Sequence, residues 1–272
     1  MNWQAFDWSI LGPALLAGLL VLATHVPLGM SVLDRGIVFI DLAIAQVAGL
    51  GVILADNLGV AEHGLGVQLA AVAAALLGAA LLAWTERRAA QQHEAFIGVL
   101  FVLASCIGIL ALASNPHGGE HLKDMLVGQI LWVSGTQLAV LAALSVVLCG
   151  WIAIGGMTRF GRFGFYGGFA LAVTASVQLV GVYLVFSSLI IPALATPGFS
   201  GKRRYLVAGA VGAAGYALGL ALSAWLDLPS GAVVVCTMAA CGLAVRSVFG
   251  GSAAPVAAHE PLLPARNAPD AR

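Results

Sequence analysis

The chain alternates between long apolar runs and short polar breaks. The runs lie near 9–32, 36–56, 66–84, 95–114, 131–155, 165–186, 204–226 and 230–249. A helix crossing the hydrocarbon core of a bilayer needs roughly 20 mostly apolar residues, so each run predicts a membrane-spanning helix. A further stretch from Leu184, "LVFSSLIIPALATPGFSGKRR", is apolar again but short, and Pro192 and Pro197 interrupt it. Proline at membrane depth is tolerated where protein or a water-filled cavity surrounds the backbone it frees. Residues 187–200 are therefore read as a return segment. The pattern predicts an all-α polytopic membrane bundle of about eight spans plus this Pro-interrupted return, filling residues 1–249. The remainder, 250–272, is rich in Pro and Ala without an apolar period, and is expected to be a disordered tail. No short-period repeat suggests a solenoid.

Composition makes the class firm. The chain is 61% hydrophobic and 9% charged, with a mean hydropathy of +1.00, whereas a soluble domain is about a quarter charged. A net charge of zero leaves no basic face for nucleic acid. The first run follows Asp7 without a basic leader or small-residue cleavage site, so it reads as a retained span. Cys106, Cys149, Cys236 and Cys241 all sit inside apolar runs, with no zinc or disulfide spacing, and are expected to pack as small buried hydrophobes.

Charge also sets an orientation. If the N-terminus is outside and 187–200 returns, Arg35, Arg87, Arg88, Arg159, Arg162, Lys202, Arg203, Arg204, Arg246, Arg266 and Arg272 all face the cytoplasm. Only Lys123 then lies outside. Cytoplasmic loops carry the excess of Lys and Arg, so this arrangement is expected, with a cytoplasmic C-terminus. It gathers Asp56, Glu62, His63, His117, Glu120, His121 and Asp124 in the outer loops.

Inside the apolar runs the polar residues stand out. Asp41 and Gln46 interrupt "GIVFIDLAIAQVAGLG". A carboxylate at span centre costs about 2.5–3.5 kcal/mol on insertion scales and usually marks a pathway. The structural alternative pairs Asp41 with Arg35 near the cytoplasmic end. Gln46, Gln129 and Gln178 are candidates for interhelical glue or for pathway lining. Glu94 opens "EAFIGVLF", where a carboxylate complements the positive end of its own helix. The segment "HGGEH", 117–121, fits a zinc-peptidase signature. Two glycines and Pro116 make it a loop, so the helical context of that chemistry is missing. A softer role is capture of a divalent cation outside the membrane by His63, His117, Glu120 and His121, since imidazole and carboxylate suit zinc, and the leading reading is a solvated loop.

Four segments together resemble the permease subunits of ABC transporters for zinc, manganese and related divalent metals. "VLDRGIVFIDLAIAQVAGLG" is similar to the family's basic loop and second span, and "EAFIGVLFVLASCIGILAL" to the span opening with an acidic residue and Ile-Gly. "VQLVGVYLVFSSLIIPALAT" resembles the Gln-x-x-Gly segment before a Leu-Ile-Ile-Pro-Ala run, and "LSAWLDLPSGAVVV" the Asp-Leu-Pro-Ser-Gly turn before the last span. Two positions depart from the family pattern. Ala45 stands where a histidine usually follows the aspartate by four residues, with Gln46 next to it, and 157–168 is a short, basic, glycine-rich version of the ATPase-contacting segment.

The resemblance implies a homodimeric permease in a bacterial inner membrane, working with cytoplasmic ATP-binding subunits and an extracytoplasmic metal-binding protein. Asp41 and Gln46 would line the metal path. Arg159, Phe160, Arg162, Phe163 and Phe165 would meet the ATPase, since aromatics and Arg are the usual energetic centres of interfaces. The chain has no G-x-x-x-x-G-K-[ST] loop, so hydrolysis is expected in a partner. The chain itself is expected to be no enzyme and to bind no cofactor, the metal being cargo. The alternative is an ATP-independent carrier using Asp41 as an ion or proton site.

Overall fold

The computed structural model describes residues 7–59, 65–112 and 126–249. Its helices are α1 Trp8–Arg35, α2 Ile40–Asn57, α3 Leu65–Arg88, α4 His93–Leu112, α5 Gly135–Ala153, the single turn α6 Gly156–Arg159, α7 Gly161–Leu194, α8 Gly201–Leu226 and α9 Ser230–Phe249. Tight 3-10 turns cover Ala90–Gln92 and Ile130–Trp132. Among the described residues there is no strand, and eight helices are long and apolar enough to cross a membrane. The expected all-α bundle is what forms.

Local chemistry marks the helix ends. The Asp7 carboxylate accepts from the Ser9 backbone N–H at 2.9 Å and starts α1. Gly36, at φ 70°, ends it with its N–H on the Leu33 carbonyl, while the Ile37 N–H reaches Val32. Ser134 and Gln137 form a reciprocal capping box at the head of α5. Pro27 inside α1 leaves the Ala23 carbonyl without its helical donor. The Cys149 thiol of α5 points at that carbonyl, at 3.6 Å.

Between helices, small residues allow close approach, the usual substitute in a membrane for a hydrophobic driving force. Gly29 of α1 backs onto the Leu189 carbonyl of α7, and Gly215 and Gly219 of α8 receive Met238 and Val234 of α9. Tyr216, fully buried, shares a 2.9 Å hydrogen bond with Ser188. The cysteines do not follow expectation: Cys106 and Cys236 are exposed and Cys149 and Cys241 half-buried. The bundle turns an apolar exterior to the bilayer, so a small apolar side chain gains nothing by being central.

The decisive feature is α7. Gly181 interrupts it with φ 81° and ψ 163°, dividing it into arms 161–180 and 182–194. The first arm starts beside α1 and α3, where Arg162 Nε lies 3.1 Å from Glu86 and Arg35 lies 3.9 Å from the same carboxylate. The second arm finishes beside the last turn of α9, where Arg246 donates to the Leu194 carbonyl at 2.8 Å. Arg204, just beyond, lies 3.7 Å from Asp34. Both ends of α7 thus share one basic end of the bundle with Arg35. Gly181 itself packs on Gly128, and the preceding Val127 carbonyl packs on Gly231 at the opposite end of α9. The chain therefore crosses, turns at Gly181 and returns. The expected return segment exists, but it begins at residue 182 rather than 187, because glycine supplies the left-handed backbone of the turn and the prolines do not. Residues 126–134, expected to start a span at 131, instead form a strap leading to α5.

Candidate functional site

Asp41 occupies the first turn of α2, beside Phe39, an N-cap residue with no side-chain cap to offer. It is 1% exposed, and no side chain among the described residues pairs with its carboxylate, which has only backbone amides at the head of its own helix, its own and that of Leu42, beside it. The structural alternative, a pair with Arg35, is not what forms. Arg35 faces Glu86, and its guanidinium lies 4.2 Å from the centroid of the Phe165 ring. Asp41 is thus a buried carboxylate without a counter-charge, the arrangement that low dielectric penalises most.

Gln46 is also buried, at 9% exposure. Helix α2 is continuous from Ile40 to Asn57 without a bulge, so the two side chains leave it about 140° and about 7.5 Å of rise apart. The fold brings both into the interior but not to one point. Ala45, at the family's histidine position, is buried as well. Among the described residues no group of three or more His, Cys, Asp and Glu is placed to hold a metal ion.

Glu94 does more than complement its own helix. Its carboxyl group meets the Phe39 backbone amide, at the head of α2, while Oε2 is buried without a partner. Phe39 in turn stacks on Phe186 of the returning arm, with centroids 6.5 Å apart. Gln178 is not at midspan: it is exposed, three residues before Gly181 and near the non-basic end. Gln129 lies in the strap, its backbone N–H on the Leu179 carbonyl at 3.3 Å. His63, His117, Glu120 and His121 lie outside the described residues.

At the basic end, α6 and the start of α7 form a short elbow. Phe160 and Phe163 are 62% and 57% exposed, and Arg159 is exposed beside them. Phe160 stacks on Trp151 at 4.9 Å. Phe165, expected on the same surface, is fully buried against Arg35, Tyr166 and Phe169. Two residues further along the helix than Phe163, it points about 200° away and into the core, so it is no contact residue. Arg162 is half-exposed and already paired with Glu86.

A group that sequence reasoning missed lies just inside this elbow. The Thr85 hydroxyl donates to the Leu82 carbonyl at 2.9 Å and lies 3.3 Å from His93 Nδ1, and His93 Nε2 lies 2.6 Å from the Tyr166 hydroxyl. Thr85 and His93 are 5% exposed and Tyr166 1%. The only sequence signal was a histidine beside Glu94 at a helix start, since its partner is 73 positions away.

Comparison with known proteins follows the same lines. Residues 7–155 and 152–249 match the family described as ABC 3 transport family. The chain is 25% identical over 251 residues to the high-affinity zinc uptake system membrane protein ZnuB of Haemophilus influenzae, covering 85% of this chain and 94% of that protein. It is 27% identical over 135 residues to the manganese transport system membrane protein MntC of Halalkalibacterium halodurans, covering 50% of this chain and 44% of that one. Its fold is similar to a chain of the solved structure of PsaBC from Streptococcus pneumoniae in complex with Fab. There the TM-score is 0.72 and the identity 20%, over 90% of this chain and 95% of the other.

Proposed function

The chain belongs to the ABC 3 transport family, and from that premise we propose that this multi-pass permease imports a divalent metal ion of the zinc or manganese class. Relatives named for zinc and for manganese transport support the cargo class. The observation that carries the reading is Asp41, buried with no side-chain partner or counter-charge while the nearby Arg35 lies against Glu86. A desolvating cation needs negative charge beside it in low dielectric, and carboxylate and amide oxygens suit hard or borderline ions. Gln46 contributes an amide oxygen at a neighbouring level. A site this sparse suits passage rather than capture, because conduction requires that the ion can leave.

The rest of the assembly follows from the family. The basic end faces the cytoplasm, with the N-terminus outside. Arg159, Phe160 and Phe163 meet cytoplasmic ATP-binding subunits, which hydrolyse ATP. A second permease copy completes the pathway, and an extracytoplasmic protein delivers the metal to outer loops that carry His63, His117, Glu120 and His121. The chain holds no cofactor of its own.

Asp41→Asn keeps the side-chain shape and removes the charge. Uptake of zinc and manganese by cells carrying this variant should fall at least about tenfold, corresponding to about 1.4 kcal/mol, with the permease present in normal amount. Normal uptake at normal abundance would sink the pathway role of Asp41.

A further inference from the structure

The elbow at the basic end and Asp41 are connected by polar contacts between helices, joined by short stretches of backbone. They start in the first two turns of α7. Arg162 Nε reaches Glu86 at 3.1 Å, and Arg35 holds the other oxygen of that carboxylate while stacking on Phe165. One turn on, the Tyr166 hydroxyl meets His93 Nε2 at 2.6 Å.

The direction of the bonds follows from the donors available. A carbonyl oxygen only accepts, so the Thr85 hydroxyl gives its proton to Leu82. Its oxygen is then the acceptor for Nδ1–H of a neutral His93. That leaves Nε2 as a lone pair, and the Tyr166 O–H donates to it. The imidazole is held at both nitrogens, in one tautomer and one orientation.

His93 is the first residue of α4, and the next residue, Glu94, meets the Phe39 amide at the head of α2. Asp41 is two residues beyond. Every link joins different helices: α7 to α3 and α1 through Glu86, α7 to α4 through His93, and α4 to α2 through Glu94.

We propose that Glu86, Tyr166 and His93 form a transmission joint through which movement of the elbow at 156–163 re-aims the head of α2 and its Asp41. They are positioning residues: none touches the ion, and each acts by fixing the helix ends that do. A polar network anchored on the buried Tyr166 and His93 suits this task because it has discrete arrangements rather than a continuous range. The inference rests on the reading of the elbow as the ATPase contact.

The test uses the intact transporter, purified through a tag on this chain and reconstituted in lipid vesicles, with ATP hydrolysis and Zn2+ uptake measured together. Tyr166→Phe removes one hydroxyl, and Glu86→Gln one charge. Each should leave hydrolysis within about twofold of the parent while Zn2+ taken up per ATP falls at least about fivefold. The double variant should be little worse than either alone, as expected for members of one unit. An unchanged ratio in both variants, or additive losses, overturns the joint. If Glu86→Gln lowers abundance, Tyr166→Phe decides, and a proportionate fall in its hydrolysis and uptake marks a merely structural role and overturns the joint too. ATP-independent uptake by the parent transporter would instead remove the transport reading on which the joint rests.

Discussion

The backbone N–H of Gln129 donates to the carbonyl of Leu179, two residues before the break at Gly181, at 3.3 Å. In a continuous helix that carbonyl would be bonded four residues on. The strap thus brings a backbone donor to the turn, where Gly181 departs from helical backbone. The same contact requires Gly128 and Gly181 to meet backbone to backbone. The turn and the strap are therefore packed as one unit.

Gly181→Ala should destabilise the permease strongly. The added Cβ would sit at φ +81° and only 2.6 Å from the Val127 carbonyl carbon. Left-handed strain costs about 1–3 kcal/mol, and overpacking of the strap adds about 1–3 kcal/mol. Thermal unfolding in detergent, followed by size exclusion, should show a large loss of folded protein. Gly209→Ala, at a helical site with nothing within 4 Å, should show none.

Tyr216→Phe and Ser188→Ala each remove one side of a buried 2.9 Å hydrogen bond. Each should cost about 1 kcal/mol, and the double variant should fall short of the sum because the bond is lost only once. Thermal stability of the three variants checks this. Strict additivity would mean that the two hydroxyls act independently.

Leu58, 83% exposed at the end of α2, and Gln91, exposed in the turn after α3, lie at opposite ends of the bundle. In a variant lacking the four native cysteines, a membrane-impermeant thiol reagent should label Leu58→Cys in intact cells. Gln91→Cys should be labelled only after permeabilisation. The reverse pattern would invert the orientation proposed for the whole chain.

The double change Phe160→Ala and Phe163→Ala removes the two exposed aromatics of the elbow. Membrane abundance should be unchanged, because neither ring belongs to the core. The ATP-binding subunit should no longer co-purify, and ATP-driven uptake should fall at least about thirtyfold, corresponding to about 2 kcal/mol, the size typical of a hot-spot residue. Normal co-purification would release these rings from the interface.

Length and polarity of the apolar runs were enough to specify helices, because a bilayer admits few alternatives to a satisfied helical backbone. Charge placement was enough to require the return after Tyr183, since Arg162 and Arg204 had to share one side, and they do, through Glu86 and Asp34. The sequence singled out Asp41 for the same reason, since an ionisable residue in an apolar run is costly, and the fold buries it. Pairwise contacts between distant positions were not legible. Phe163 and Phe165 look alike in sequence, and only the rotation of α7 exposes one and buries the other. The turn belongs to Gly181 rather than to Pro192 because Gly128, 53 positions earlier, leaves room there for the backbone to approach. Arg35 could have paired with Asp41, six residues away, but the packing of α1, α3 and α7 offered it Glu86 and the face of Phe165. Helix formation depends on local composition and on the solvent around it, both written along the chain. Which polar group is satisfied and which is left bare depends on the geometry between helices, and here that left Asp41 unpaired.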